Sequence, residues 1–155
     1  SESVEEALKV LGDFWWARFF QNDYIQYDVA YPGTVDYVNR LYNLGATLVY
    51  LTGRDFPNMG DGTNAAMSRD GFPLNTDRIV PMLKPNAAMD DKLFKSEAIE
   101  KIGSLGTLVA SFENEPANLV AMQAKLPDAL HVFVETICSD HTCPRVGQHP
   151  CTQAG

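Results

Sequence analysis

Three short stretches of the chain hold residue types that could act together on a phosphoryl group. The first closes an uncharged run, residues 46–51, with Thr52, Gly53 and Arg54. The threonine offers a hydroxyl, the glycine lets the backbone approach a ligand closely, and the arginine presents a fixed fork of donors suited to phosphate or carboxylate. The second is Lys95, close to the start of an amphipathic stretch, and the third is the acidic turn Glu113-Asn114-Glu115. A hydroxyl and an ammonium can bind non-bridging phosphoryl oxygens and stabilise charge in the transition state. Glu113 and Glu115 bring the oxygen ligands that a hard cation such as Mg²⁺ prefers. Each stretch alone also has an ordinary reading as a polar turn with solvated side chains, so the chemistry depends on whether the fold gathers them.

The elements that must do the gathering follow from pattern. Residues 46–52 are uncharged and rich in β-branched and aromatic side chains, which suits a strand buried on both faces of a parallel sheet. Residues 78–83, 107–112 and 130–136 read as further strands. Between them run helices: 34–44, entered through Pro32-Gly33 and stopped by Gly45; a short one to about Arg69 after a loop over 56–62; one starting at Asp90 or Asp91 with Phe94, Ala98, Ile99 and Ile102 as its buried face; and one opened by Pro116 and running to about Lys125. Strands alternating with helices predict an α/β fold with a parallel sheet joined by right-handed crossovers and helices on both faces. The carboxyl ends of all strands then share one edge, where ligands bind in open α/β sheets. With one reversal of strand order, 78–83 is expected beside 46–52, and 130–136 beside 107–112.

Ahead of this core, residues 1–20 read as a helix, capped by Ser1 or Ser3, with Val4, Leu8, Leu11, Trp15 and Phe19 at helical spacing. Its aromatic end, Trp15, Trp16, Phe19 and Phe20, is read as core rather than as a substrate platform. A Tyr-rich connection over 22–32 follows. Three segments result: 1–30 as helix and connection, 31–136 as the α/β core, and 137–155 as an irregular tail.

Composition narrows the partners. Net charge is −8 and the 12 Lys and Arg are scattered, which argues against a grip on a nucleic-acid backbone. No apolar run is long enough to span a bilayer, and no basic n-region followed by an apolar h-region opens the chain. A small phosphorylated molecule, a cytoplasmic setting and no membrane partner are expected. The three cysteines, Cys138, Cys143 and Cys151, fall in the tail and cannot staple the core. With His141 and His149 they could bind zinc, but their spacing matches no common zinc knuckle.

Taken in order, Leu48-Val49-Tyr50-Leu51-Thr52, then Phe94-Lys95-Ser96-Glu97-Ala98-Ile99, then Phe112-Glu113-Asn114-Glu115-Pro116-Ala117-Asn118, with the lead-in Tyr31-Pro32-Gly33, resemble the haloacid dehalogenase-like (HAD) phosphatase superfamily over about residues 31–136. The resemblance implies a Rossmann-like parallel sheet of the HAD type and Mg²⁺-dependent hydrolysis of phosphate monoesters through an aspartyl-phosphate. In these roles Thr52 binds phosphate, Lys95 balances charge between nucleophile and phosphate, Glu113 and Glu115 serve the metal, and Gly53 and Arg54 contact substrate. Lys84, in Leu83-Lys84-Pro85, is a second candidate for the lysine. Residues 1–20 would belong to a small helical cap. Two departures stand out: the acidic turn begins with Glu113 where the family usually has Asp, and the family's Asp-x-Asp nucleophile motif occurs nowhere in the sequence. Its strand would lie mid-sheet, between 46–52 and 107–112. The expectation is therefore a HAD-like hydrolase whose nucleophile strand lies outside this chain. The alternative is a non-catalytic α/β module that keeps an anion pocket.

Overall fold

The computed structural model describes residues 3–135, and the chain divides into two compact units, one up to Asp90 and one from Asp91. The fold class is α/β, with helices interleaved between two short parallel two-stranded sheets.

In the first unit, helix α1 (Val4–Phe19) starts where its cap dictates: the Ser3 hydroxyl accepts from the Glu6 backbone N–H at 3.2 Å. None of its residues is buried. The expectation that its aromatic end is core is therefore corrected, since Trp15, Trp16 and Phe19 are each at least half exposed. Only Phe20, just past the helix, packs against the buried cluster of Ile25, Met59 and Ala66. The physical reason is that the element it packs against most is α2, and one short turn cannot cover the apolar residues of a helix of 16 residues. The Tyr-rich connection contains a helical turn, α2 (Asn22–Ile25), whose Ile25 is 3% exposed.

Helix α3 (Thr34–Asn43) follows Gly33, at φ 80°, and is stopped by Gly45, at φ 97°. Both positions need a left-handed backbone that glycine adopts without strain. Strand β1 (Leu48–Asp55) runs three residues beyond the expected end, and α4 (Phe56–Asp70) begins at once. The expected loop over 56–62 is thus helical. Asp55 caps α4 by accepting from the Asn58 N–H at 3.1 Å, and Pro57 sits in the first turn, where its missing N–H costs nothing. Gly60 and Gly62 lie inside this helix. At Gly62 the helix meets α2 so closely that a Cβ would stand 2.7 Å from Asn22 Oδ1. Strand β2 (Ile79–Lys84) pairs parallel with β1, Leu48 opposite Ile79 through Leu51 opposite Met82.

In the second unit, α5 (Asp91–Leu105) buries the four predicted residues, Phe94, Ala98, Ile99 and Ile102. Strand β3 (Ala110–Glu113) is followed by α6 (Pro116–Lys125) and by β4 (Leu130–Phe133), which pairs parallel with β3 in the register Ser111 to His131 and Glu113 to Phe133. The two expected neighbour relations hold. β3 and β4 are shorter than the apolar runs suggested, because the ladder closes where Leu130 N–H meets the Val109 carbonyl and Val134 N–H meets that of Glu113.

Among the described residues β1 pairs only with β2, and β3 only with β4. No described helix is long and apolar enough to cross a membrane. The segment with Cys138, His141, Cys143, His149 and Cys151 lies outside the described residues.

Candidate active site

Thr52, Gly53 and Arg54 belong to the first unit; Lys95, Glu113 and Glu115 belong to the second. In β1 the register breaks at the residues predicted to bind an anion. Leu51 stands opposite Met82 and Asp55 opposite Lys84, so Thr52, Gly53 and Arg54 together face the single residue Leu83. Such irregularities re-aim side chains and recur beside active sites. Within the break the Arg54 backbone N–H donates to the Thr52 hydroxyl at 3.3 Å. The Arg54 guanidinium is held by protein groups. It donates to the Thr63 hydroxyl at 3.3 Å and forms an ion pair with Asp28, which ties the connection after α2 to the end of β1. Nearby, Asp55 is 2% exposed and accepts a second bond from the Asn58 side-chain amide at 2.8 Å. Lys84, the alternative lysine, closes β2 at 8% exposure, with Nζ 3.3 Å from the Met89 carbonyl.

In the second unit Lys95 and Glu113 come together. Lys95 Nζ donates to Glu113 Oε2 at 3.4 Å, with the two side chains 18% and 12% exposed. The helix before β3 and the carboxyl end of β3 thereby place a cation and a carboxylate side by side. The other oxygen, Glu113 Oε1, accepts the backbone N–H groups of Asn114 and Glu115 at 2.9 and 3.0 Å. The acidic turn folds around its own first carboxylate. Glu115 is the N-cap residue of α6, and its side chain makes no capping bond.

The oxygen chemistry of this turn suits a hard cation. The ligand set is incomplete, however: among the described residues no three His, Cys, Asp or Glu side chains gather in a way that could hold a metal ion.

One pair escaped sequence reasoning. Ser111, 9% exposed, lies 2.7 Å from His131 Nδ1, and His131 Nε2 lies 2.8 Å from the Leu126 carbonyl. A carbonyl only accepts, so Nε2 carries the hydrogen, and in the neutral ring the Ser111 hydroxyl donates to Nδ1. A serine beside a histidine is the arrangement of an activated nucleophile. Here the serine is buried mid-strand opposite its partner in the β ladder, and the pair links β3, β4 and the end of α6. The signal that could have found it was the register, which needed both strand ends. Asp28 was missed for the same reason, since 26 residues separate it from Arg54.

Comparisons with models of protein families, with curated proteins and with solved structures gave no match to this chain.

Proposed function

We propose that this chain belongs to a HAD-like hydrolase, a Mg²⁺-dependent phosphatase acting on phosphate monoesters through an aspartyl-phosphate whose nucleophile lies outside the sequence. The observation that carries the reading is the half-buried contact of Lys95 with Glu113. A lysine from the helix before β3 meets a carboxylate at the carboxyl end of that parallel strand, as the motif order of the resemblance requires. Thr52 would bind the phosphoryl oxygens and Lys95 would offset the charge between phosphate and nucleophile. Gly53 and Arg54 would face the substrate, while Glu113, with Glu115 near it in the turn, would contribute to the Mg²⁺ site. The ion would supply charge neutralisation at the phosphoryl oxygens.

Strand edges support the missing nucleophile strand. β2 carries Pro81, which cannot extend a ladder, whereas the paired residues Leu48 to Leu51 of β1 are uncharged and free of proline. A strand supplied from outside could pair there. A second reading, a non-catalytic anion-binding module, is favoured by one feature: the Arg54 fork and both Glu113 oxygens already hold protein partners.

The test is to assay the 155-residue chain with Mg²⁺ and an aryl phosphate beside a version extended upstream through a strand ending in Asp-x-Asp. The chain alone should show no turnover, because positioning groups cannot replace an aligned carboxylate. In the extended protein Lys95→Met should lower kcat by about 10²–10³-fold, the scale of losing one charge-stabilising group. Equal activity in both versions rejects the external nucleophile, and activity in neither favours the binding module.

A further inference from the structure

Helix α1 offers a binding face of its own, independent of the phosphatase reading. Val4, Leu8, Leu11 and Trp15 recur at spacings of four, three and four, the seam of a two-stranded helical pair. Their exposures are 76%, 62%, 64% and 50%. Phe14 and Phe19 flank the seam and are also more than half exposed. On the opposite side of the helix Lys9 and Asp13 form a solvated i,i+4 pair at 3.7 Å, so that side is polar where the seam is apolar.

The aromatic end is ordered without being covered. Trp15 stacks on Phe19 with ring centroids 4.6 Å apart and meets Phe20 edge-on at 5.6 Å, and Phe20 is anchored on the core cluster. A large, pre-positioned apolar surface therefore costs little side-chain entropy to bind.

We propose that the occupant of this face is α1 of a second copy of the chain, packed antiparallel about a two-fold axis through Leu11. Charge favours that orientation. Glu5 lies in the first turn, at the edge of the seam, and Arg18, whose guanidinium stacks on Phe14, continues the seam in the last turn, so antiparallel packing sets Glu5 of each copy beside the arginine of the other. It also opposes the helix dipoles. The geometry places Leu11 against Leu11 and brings Trp15 over the small Ala7 and the neighbouring Leu8. The area is sufficient. A fully covered aromatic side chain removes 150–250 Å², so six half-exposed seam and flank residues give about 600 Å² per copy and ~1,200 Å² for the pair, the lower end of the range for specific interfaces.

The experiment is sedimentation velocity of the full chain from low to high micromolar concentration, with Trp emission recorded in parallel. The expected result is a concentration-dependent shift from monomer to dimer, with a blue shift as Trp15 becomes covered. Leu11→Glu, which sets two like charges face to face on the axis, should leave only monomer while the far-UV spectrum stays unchanged. Arg18→Glu should weaken the dimer at least tenfold, and adding Glu5→Arg should restore it, as only the antiparallel arrangement requires. A chain that stays monomeric throughout overturns the proposal, as does a dimer that Leu11→Glu leaves intact. A monomeric chain that moves onto phosphatidylcholine vesicles would overturn it in favour of a lipid surface.

Discussion

At the scale of single residues, Glu113 combines two kinds of contact that can be separated. One oxygen satisfies two backbone N–H groups of the turn before α6, and the other faces Lys95. Removing an acceptor from enclosed N–H groups costs about 1–3 kcal/mol, whereas an ion pair gains little once desolvation is counted. Glu113→Ala is therefore expected to lower the unfolding free energy by about 2–3 kcal/mol in urea titrations. Glu113→Gln, which keeps one acceptor oxygen, should lower it by about 1–2 kcal/mol, and Lys95→Met, which leaves a mostly enclosed carboxylate without its cation, should lower it by a similar amount. A large loss in Lys95→Met would mean that the lysine holds the fold and has no spare role for chemistry. Tyr50 gives a pH handle. Its hydroxyl donates to the Pro73 carbonyl at 3.2 Å, and burial pushes its pKa up from 10.0 to about 12. The folded state then holds a proton that the unfolded chain releases above pH 10, so stability falls as pH rises from 10 to about 12. Tyr50→Phe should remove that part of the alkaline slope, which denaturant melts at stepped pH would read; an unchanged slope would place its origin elsewhere.

At the scale of elements, what was legible in the sequence was whatever local chemistry decides. The buried face of α5, the opening of α6 at Pro116 and the stop of α3 at Gly45 follow from periodicity and from two residues with restricted or unusual backbones. The pairing of β1 with β2 and of β3 with β4 follows from connectivity. The start of α4 was not legible in this way, because the loop expected over 56–62 rested on Pro57, Gly60 and Gly62 together, whereas Asp55 followed by Pro57 is also the pattern of a cap and a first helical turn. What glycine does there is tertiary: α2 touches α4 at Gly62, whose N–H donates to Asn22 Oδ1 at 2.7 Å. Of the site, Lys95 beside Glu113 was legible from motif order. The partners of Arg54 and of Ser111 were not, because they depend on long-range contact. Opposite signs are expected for one substitution in two helices. Gly12→Ala, with nothing within 4 Å of the added carbon, should stabilise the chain by up to about 1 kcal/mol. Gly62→Ala should destabilise it by about 1–3 kcal/mol through overpacking against Asn22. Paired thermal melts read both, and stabilisation by Gly62→Ala would show that α2 yields freely.

At the scale of the whole chain, each unit rests on few buried apolar residues. The first buries Ile25, Met59, Ala66, Ile79 and Met82, and the second Phe94, Ala98, Ile99, Ile102 and Met122. A two-stranded sheet is marginal unless further strands or helices cover it. In the second unit Val109 is 78% exposed, Phe112 49% and Leu130 53%, so apolar surface around β3 and β4 stays open to water beside a core of this size. Apolar surface open around a two-stranded sheet is where an additional strand would bring most stability, through ladder hydrogen bonds together with coverage of those side chains. The chain as given should therefore bind an apolar-surface dye without denaturant and unfold over a broad temperature range. An upstream extension that supplies a strand should cut dye fluorescence several-fold and sharpen the melt, whether or not it brings a nucleophile. Adding Leu11→Glu to both versions removes any contribution from paired α1 helices and isolates the sheet. Equal dye binding by the short and extended chains in that background would show that the open surface around β3 and β4 is not a strand-pairing surface, and the case for an absent central strand would then rest on motif order and on the uncharged, proline-free stretch of β1.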